Sequence, residues 1–323
     1  MRSLQIASFG SLDDLAVVDT PDPNPRPGQV VVEVRAAGVN FVDALIVQGR
    51  YQFTPPLPYT PGTEVAGVVS AVGDGVTALR PGDRVLALPP AGGYASHVAV
   101  PVAAVHPIPA SLDFGAAACL PQSYVTMHYA YRRLAHVAAG EWVVVLGAGG
   151  GIGLAATDLA TALGARVVAC ASSPDKLALA RAAGAEATIA YDGIDLKAAI
   201  REATGGATDV VVDPVGGDKA EPALRSLGWG GRYLVIGFAG GGIPRLPANQ
   251  ILLNGRSVLG VELGGLVRRD PAAFPALLGE VLTLVGQGRL HPVEPQAFPL
   301  TEAANVLRAI ESRAITGKAV LVP

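Results

Sequence analysis

Trp142-Val143-Val144-Val145-Leu146-Gly147-Ala148-Gly149-Gly150-Gly151-Ile152-Gly153 passes from a short apolar run into a string of glycines. The run is rich in β-branched residues and wholly apolar, the pattern of an interior parallel strand covered on both faces. Beyond the glycines, Ile152, Ala155, Ala156, Leu159, Ala160 and Leu163 recur at helical spacing, with Thr157, Asp158 and Thr161 on the other side. The stretch reads as strand, tight turn, helix. Glycines at 147, 150 and 153 allow a sharp turn, close approach of backbone to a pyrophosphate, and close helix-to-sheet packing, while the helix N-terminus offers free N–H groups to the anion. A glycine string alone would also suit a flexible loop. Between this strand and this helix it reads as a dinucleotide site, with Gly147, Gly149, Gly150, Gly151, Ile152 and Gly153 as the cofactor-binding run.

The next strand shows which dinucleotide to expect. Arg166-Val167-Val168-Ala169-Cys170-Ala171 ends in Ser172-Ser173, with no carboxylate where an NAD site places one about 20 residues past the glycines to hold the ribose 2′-OH. Asp175 is close, but Ser173-Pro174-Asp175 reads as a helix start: a serine cap, proline at the first position, an acid favoured by the dipole. Ser172 leaves room for a 2′-phosphate and Lys176 could supply its counter-charge, so the expected cofactor is NADPH. Taken alone, Lys176 reads equally as a solvated helix residue.

At 323 residues the chain exceeds the usual size of one core, so two domains are expected. A formal net charge of −3 gives no electrostatic footprint for nucleic acid and no polybasic membrane patch. Met1-Arg2-Ser3-Leu4-Gln5 has no signal-peptide core, and the apolar stretch from Trp142 to Ala156 falls short of the roughly 18 residues of a membrane span. A cytoplasmic protein is expected. Cys119 and Cys170 are too few for a disulfide framework or a thiolate zinc site and read as small apolar fillers. His97, His106, His128, His136 and His291 are scattered, and none is assigned a catalytic role.

From Arg2 to about Val105 the signals are short strands and turns: Val30, Val32 and Val34 alternate with their neighbours, Val65 to Val72 is β-rich, and Pro81-Gly82-Asp83 is a turn. This predicts a mostly-β domain. From about Leu120, strands are predicted at 142–146, 166–171, 187–190, 209–213, 232–237 and 257–261 with helices in most of the gaps, the rhythm of a doubly wound parallel sheet. Helices near 274–286 and 301–311 and a last strand at 318–322 complete the chain.

With these elements in place, the chain resembles the zinc-independent medium-chain dehydrogenase/reductases, specifically the ζ-crystallin-like NADPH:quinone oxidoreductases. The resemblance spans nearly the whole chain. It is carried by Ala36-Ala37-Gly38-Val39-Asn40-Phe41-Val42-Asp43, Pro61-Gly62-Thr63-Glu64-Val65-Ala66-Gly67-Val68-Val69, Pro81-Gly82-Asp83-Arg84-Val85, the glycine run, Asp213-Pro214-Val215-Gly216-Gly217 and Thr316-Gly317-Lys318. It implies an α/β chain with a discontinuous GroES-like, mostly-β catalytic domain over 1–122 and 262–323. A six-stranded Rossmann domain, a doubly wound parallel sheet over 123–261, is inserted into it.

Zinc-bearing members of this superfamily carry a cysteine where this chain has Asn40 and a histidine where it has Thr63, so no metal is expected. Without a Lewis acid, simple alcohol oxidation loses its main oxyanion stabilisation, whereas quinones and activated alkenes accept hydride from NADPH directly. The resemblance implies that Asn40 faces nicotinamide and substrate, where its amide could donate to a carbonyl oxygen; its other reading is a turn-forming asparagine. Tyr51 matches a pocket tyrosine, Thr126 a threonine at the nicotinamide end, and Tyr191 a tyrosine at the 2′-phosphate. Phe238 and Ala239, with Val261 and Leu263, match segments under the nicotinamide ring, and Lys318 a cation near the phosphates. Asp43 is expected to brace its loop and Asp213 to organise the turn into Pro214. A second tyrosine of the family's pocket is Leu45 here.

The expected activity is NADPH-dependent, zinc-independent reduction of a quinone or enone. Enoyl-thioester reduction is one alternative, for which Arg132-Arg133 and Arg268-Arg269 are the arginine pairs at hand, and a non-catalytic NADPH-binding protein is another. The edge strand at 256–261 would pair with its twin in a homodimer.

Overall fold

The computed structural model of the protein describes residues 1–52 and 54–323. The chain divides into two compact units, Met1–Gln122 with Glu294–Pro323, and Ser123–Val293.

The first unit opens with β1 (Arg2–Gln5), β2 (Ala16–Asp19), β3 (Gln29–Val39), α1 (Phe41–Val47), β4 (Val65–Val72), β5 (Arg84–Ala87), β6 (His97–Pro101), β7 (Val105–Pro107) and α2 (Phe114–Leu120). The second runs through α3 (Thr126–Tyr129), β8 (Trp142–Leu146), α4 (Gly151–Ala162), β9 (Arg166–Ala171), α5 (Pro174–Ala182), β10 (Ala187–Ala190), α6 (Leu196–Thr204), β11 (Thr208–Asp213), α7 (Ala220–Ser226), β12 (Leu227–Val235), α8 (Ala248–Leu252), β13 (Ser257–Gly260), α9 (Leu263–Arg269) and α10 (Ala273–Gly286). The chain then returns to the first unit with β14 (Gln296–Pro299), α11 (Ala303–Glu311) and β15 (Ala319–Val322).

In the second unit the six strands form one parallel sheet in the order β10-β9-β8-β11-β12-β13. This is the doubly wound Rossmann order, with the first strand of the glycine motif at the point where the order reverses. β8 lies between β9 and β11, and Val143 to Leu146 are fully buried, as a wholly apolar run requires. The six predicted strands are all present; β12 begins earlier than its 232–237 range and ends at Val235, where the Ile236 and Gly237 N–H groups turn back onto the Asp213 carbonyl.

α10 settles where the second unit ends. The expected division returned the chain to the β domain after Val261, but the segment 262–293 packs in the second unit. Leu277, Leu278 and Val281 bury one face of α10, Glu280 accepts from His128 at 2.6 Å and pairs with Arg133 at 3.3 Å, and the His291 N–H donates to Asp158 at 2.8 Å. An apolar helical face signals burial without naming its partner.

The first unit is built on a seven-stranded sheet ordered β14-β15-β3-β4-β5-β7, with β6 also on β3. Its core gathers Val32, Val65, Val85, Val100, Tyr94, Leu307 and Leu321. Two registers position its polar side chains. Antiparallel pairing of Ala319 with Val39 sets Lys318 opposite Asn40, and pairing of Val65 with Ala37 sets Glu64 beside Gly38. Three residues from remote parts of the chain thus meet at one end of three adjacent strands.

Candidate active-site elements

The glycine turn is backbone geometry. Gly147 has φ +59°, a conformation that disfavours any side chain, and its carbonyl accepts the Gly150 N–H at 3.0 Å. A Cβ on Gly153 would overlap the Gly147 carbonyl and lie 2.5 Å from Ala148 Cα, and one on Gly149 would lie 2.6 Å from Lys176 Cγ. Gly150 differs: the nearest atom to its Cβ position is 3.6 Å away. Packing does not require glycine there, whereas an anion approaching the first turn of α4 would. Gly151 and Ile152 open that helix, with Gly150 as its cap.

At the ends of β9 and β10, Ser172 follows the strand, Lys176 lies against Gly149, and Tyr191 is buried. Ser173 is the cap residue of α5 with Pro174 at the first position, but its hydroxyl makes no capping hydrogen bond, unlike the expected serine cap. A second cation lies here that the sequence reading missed. Lys219 Nζ stands 5.6 Å from the Tyr191 ring centroid, 3.1 Å from Asp218 and 3.9 Å from Asp192. Nothing in the local pattern of Asp218-Lys219 marks it, because it reaches Tyr191 only through the fold.

After β11 and β12 two loops are laced together. Asp213 Oδ1 accepts the N–H groups of Val215 and Gly216, both at 2.8 Å, and its Oδ2 accepts the Tyr233 hydroxyl, so it does organise the turn. Ala239 N–H donates to the Pro214 carbonyl at 3.0 Å and Gly240 N–H to that of Val215 at 2.7 Å, fixing Phe238 and Ala239 at the strand ends. Val261 N–H donates to the Val235 carbonyl at 2.9 Å, and Leu263 starts α9. Thr126 is buried at the start of α3.

In the first unit Asn40 joins β3 to α1. Its backbone N–H donates to Asp43 Oδ2 at 2.8 Å, and the same oxygen accepts the Tyr94 hydroxyl at 2.8 Å. Burial raises the Asp43 carboxyl to about 6, against the hydrogen bonds from Asn40 and Tyr94, which favour its ionised form. The Asn40 side chain has partners of its own: Nδ2 donates to Glu64 Oε1 at 2.7 Å, and Oδ1 accepts from Lys318 Nζ at 2.7 Å. Lys318 also donates to Glu64 Oε1 at 3.1 Å and the Val39 carbonyl at 3.4 Å, so its three donors are engaged. Lys318 was expected near the cofactor phosphates; here its ammonium is directed at Asn40, Glu64 and the Val39 carbonyl. Burial lowers its pKa, yet the neighbouring Glu64, Cys119 and Asp43 together more than offset this, through charge and the Glu64 hydrogen bond, and the ammonium is held above its ordinary value.

Glu64 is the residue the sequence reading left without a role. Its other oxygen accepts the Gln122 N–H at 2.9 Å, and a Cβ on Gly38 would come within 2.5 Å of Oε1. A carboxylate set within the otherwise uncharged run from Pro61 to Val69 was the available signal. Tyr51 lies in the exposed loop beyond α1, and Cys119 is a buried thiol pushed up to about 12 by desolvation.

Residues 26–110 match the alcohol dehydrogenase GroES-like domain family and residues 151–282 the zinc-binding dehydrogenase family. Quinone oxidoreductase-like protein 2 of Bos taurus is 37% identical over 99% of this chain and 93% of its own length. The chain belongs to the quinone oxidoreductase family of the medium-chain dehydrogenase/reductases. Among solved structures of relatives, the quinone oxidoreductase from Thermus thermophilus, described also in its complex with NADPH, superposes with a TM-score of 0.84 at 36% identity over 100% of both chains. CurK enoyl reductase superposes with a TM-score of 0.88 at 29% identity over 99% of this chain and 98% of its own.

Asn40 and Thr63 are poor zinc donors, and among the described residues no three His, Cys, Asp or Glu side chains converge on one point. No helix among the described residues is long and apolar enough to cross a membrane.

Proposed function

We propose that this protein is an NADPH-dependent, zinc-independent reductase that passes hydride to a quinone or an enone. The observation that carries the reading is the open Gly150 face of the α4 turn. There the missing side chain answers no packing need but suits a pyrophosphate. Bound NADPH would supply the hydride. The N–H groups of Gly151 and Ile152 would take the pyrophosphate, with Ser172, Lys176 and Tyr191 holding the 2′-phosphate and Lys219 adding charge. Thr126, Phe238, Ala239, Val261 and Leu263 would border the nicotinamide. Asn40 Nδ2 would donate to the acceptor's carbonyl oxygen, stabilising the enolate or phenolate that forms as hydride reaches carbon, and water would deliver the proton. Tyr51 would stack on the acceptor.

The test is loss of NADPH absorbance with 1,2-naphthoquinone or an alkenal. Tight NADPH binding with no turnover across such a panel would sink the enzymatic reading. Turnover confined to enoyl-CoA would favour the second reading, enoyl-thioester reduction, which the likeness to CurK enoyl reductase supports.

A homodimer through β13 is part of the proposal. β13 is the sheet edge, and beside it Trp229, Leu252 and Leu253 are 83%, 79% and 66% exposed, with the Trp229 ring against Gly255. A monomeric mass by light scattering would count against it.

A further inference from the structure

Asn40 is tied on both sides of its side chain by full charges. Lys318 Nζ donates to Oδ1 and Glu64 Oε1 accepts from Nδ2, each at 2.7 Å, and the two charged side chains are only 12% and 2% exposed. An ammonium only donates and an ionised carboxylate only accepts. Turning the amide over would set its NH2 against the ammonium and its oxygen against the carboxylate, so one orientation is selected. The charged pair is itself anchored, Lys318 by the Val39 carbonyl and Glu64 by the Gln122 N–H. Asn40's backbone is held independently through Asp43, itself braced by Tyr94.

Among the described residues, this arrangement leaves one donor hydrogen of the amide over. Nδ2 carries two hydrogens and Glu64 takes one; the direction of the other is set by the amide plane. Donation onto Oδ1 draws electron density toward the oxygen and strengthens the remaining N–H as a donor.

We propose that Lys318 and Glu64 are positioning residues that orient and polarise the Asn40 amide, so that its second Nδ2–H meets the carbonyl oxygen of the hydride acceptor. The inference rests on the reductase reading above. Neither charged residue touches the acceptor in this scheme.

The experiment compares hydride-transfer rates from NADPH to 1,2-naphthoquinone, with NADPH dissociation constants, for wild type, Asn40→Ala, Lys318→Met, Asn40→Ala/Lys318→Met and the charge-neutral Glu64→Gln/Lys318→Met. Lys318→Met is expected to slow transfer about 10- to 100-fold with the NADPH constant within about twofold. In the Asn40→Ala background the same change adds less than about twofold, since its target is gone. Glu64→Gln/Lys318→Met removes both buried charges, keeping the fold testable, and stays slow. Wild-type rates in that double variant, or equal slowing by Lys318→Met with and without Asn40, would overturn the proposal. So would a weakened NADPH constant with an unchanged rate, which would return Lys318 to the phosphates. If wild type reduces no acceptor, the reductase reading falls by itself. The positioning is then read from exchange protection of the Asn40 Nδ2 protons by NMR: a loss of about tenfold or more in Lys318→Met supports it, and none refutes it.

Discussion

The glycine turn of the second unit and the Asn40 network of the first are built by opposite means. One is local backbone: Gly147 to Gly153 are consecutive, and their geometry follows from which positions tolerate a Cβ. The other is a side-chain network in which the charges of Glu64 and Lys318 hold the Asn40 amide, its members separated by as many as 278 positions and joined by the registers of β15, β3 and β4. The difference teaches where each is fragile. A backbone site fails sterically, one position at a time, whereas a buried charge network fails as a whole when any member loses its partner.

The largest effect is expected where the network loses its acceptor. Glu64→Ala leaves the Lys318 ammonium, the Asn40 amide and the Gln122 N–H without it, and should cost about 3–5 kcal/mol in urea unfolding. A cost below about 1 kcal/mol would show that the three groups find other partners.

Next comes the pH dependence of the same region. The folded protein holds the Asp43 proton up to about 6, while an unfolded aspartate releases it near ~3.9. Stability from this group is therefore full below the unfolded value and lost as pH rises through the folded one, by roughly 3 kcal/mol in all. Unfolding measured at several pH values between about 4 and 7 should show Asp43→Asn gaining on wild type by most of that amount; parallel curves would place the carboxyl at its ordinary value.

The glycine turn offers a paired test. Gly153→Ala forces Cβ against the Gly147 carbonyl and should destabilise by about 1–3 kcal/mol, with loss of NADPH binding. Gly150→Ala has 3.6 Å of clearance and should keep the fold to within about 1 kcal/mol while weakening NADPH. Equal binding of NADPH by Gly150→Ala and wild type would remove the pyrophosphate from that face. The smallest effect is expected at the rim: Lys176→Ala should reduce the preference for NADPH over NADH about tenfold, some 1.4 kcal/mol, read from the ratio of dissociation constants. An unchanged ratio would assign the 2′-phosphate to Lys219 instead.

Much of the fold was legible in the chain because its signals are periodic. The six strands of the second unit stood out as apolar runs between amphipathic helices, and their alternation with helices predicted the parallel, doubly wound sheet that is observed. The segment 262–293 was not legible in the same way: the apolar face of α10 says that it is buried, but only Glu280 against His128 and Arg133 shows on what. In the site, Asp213 and Asp43 were readable as braces of the turns beside them, one ending β11 and the other in the first turn of α1. For Lys318 the resemblance named only the phosphates, with no local sign of its Asn40 and Glu64 partners, and Glu64 was passed over as part of a strand motif.

The amino-acid sequence alone determined the glycine turn, the strand–helix rhythm and the lack of a carboxylate after β9, because steric limits on φ and the burial period act within a few residues. Only the tertiary structure decided that an ammonium and a carboxylate flank Asn40. Electrostatic partnership depends on distance in space, and strand register brings Lys318 opposite Asn40 and Glu64 opposite Gly38.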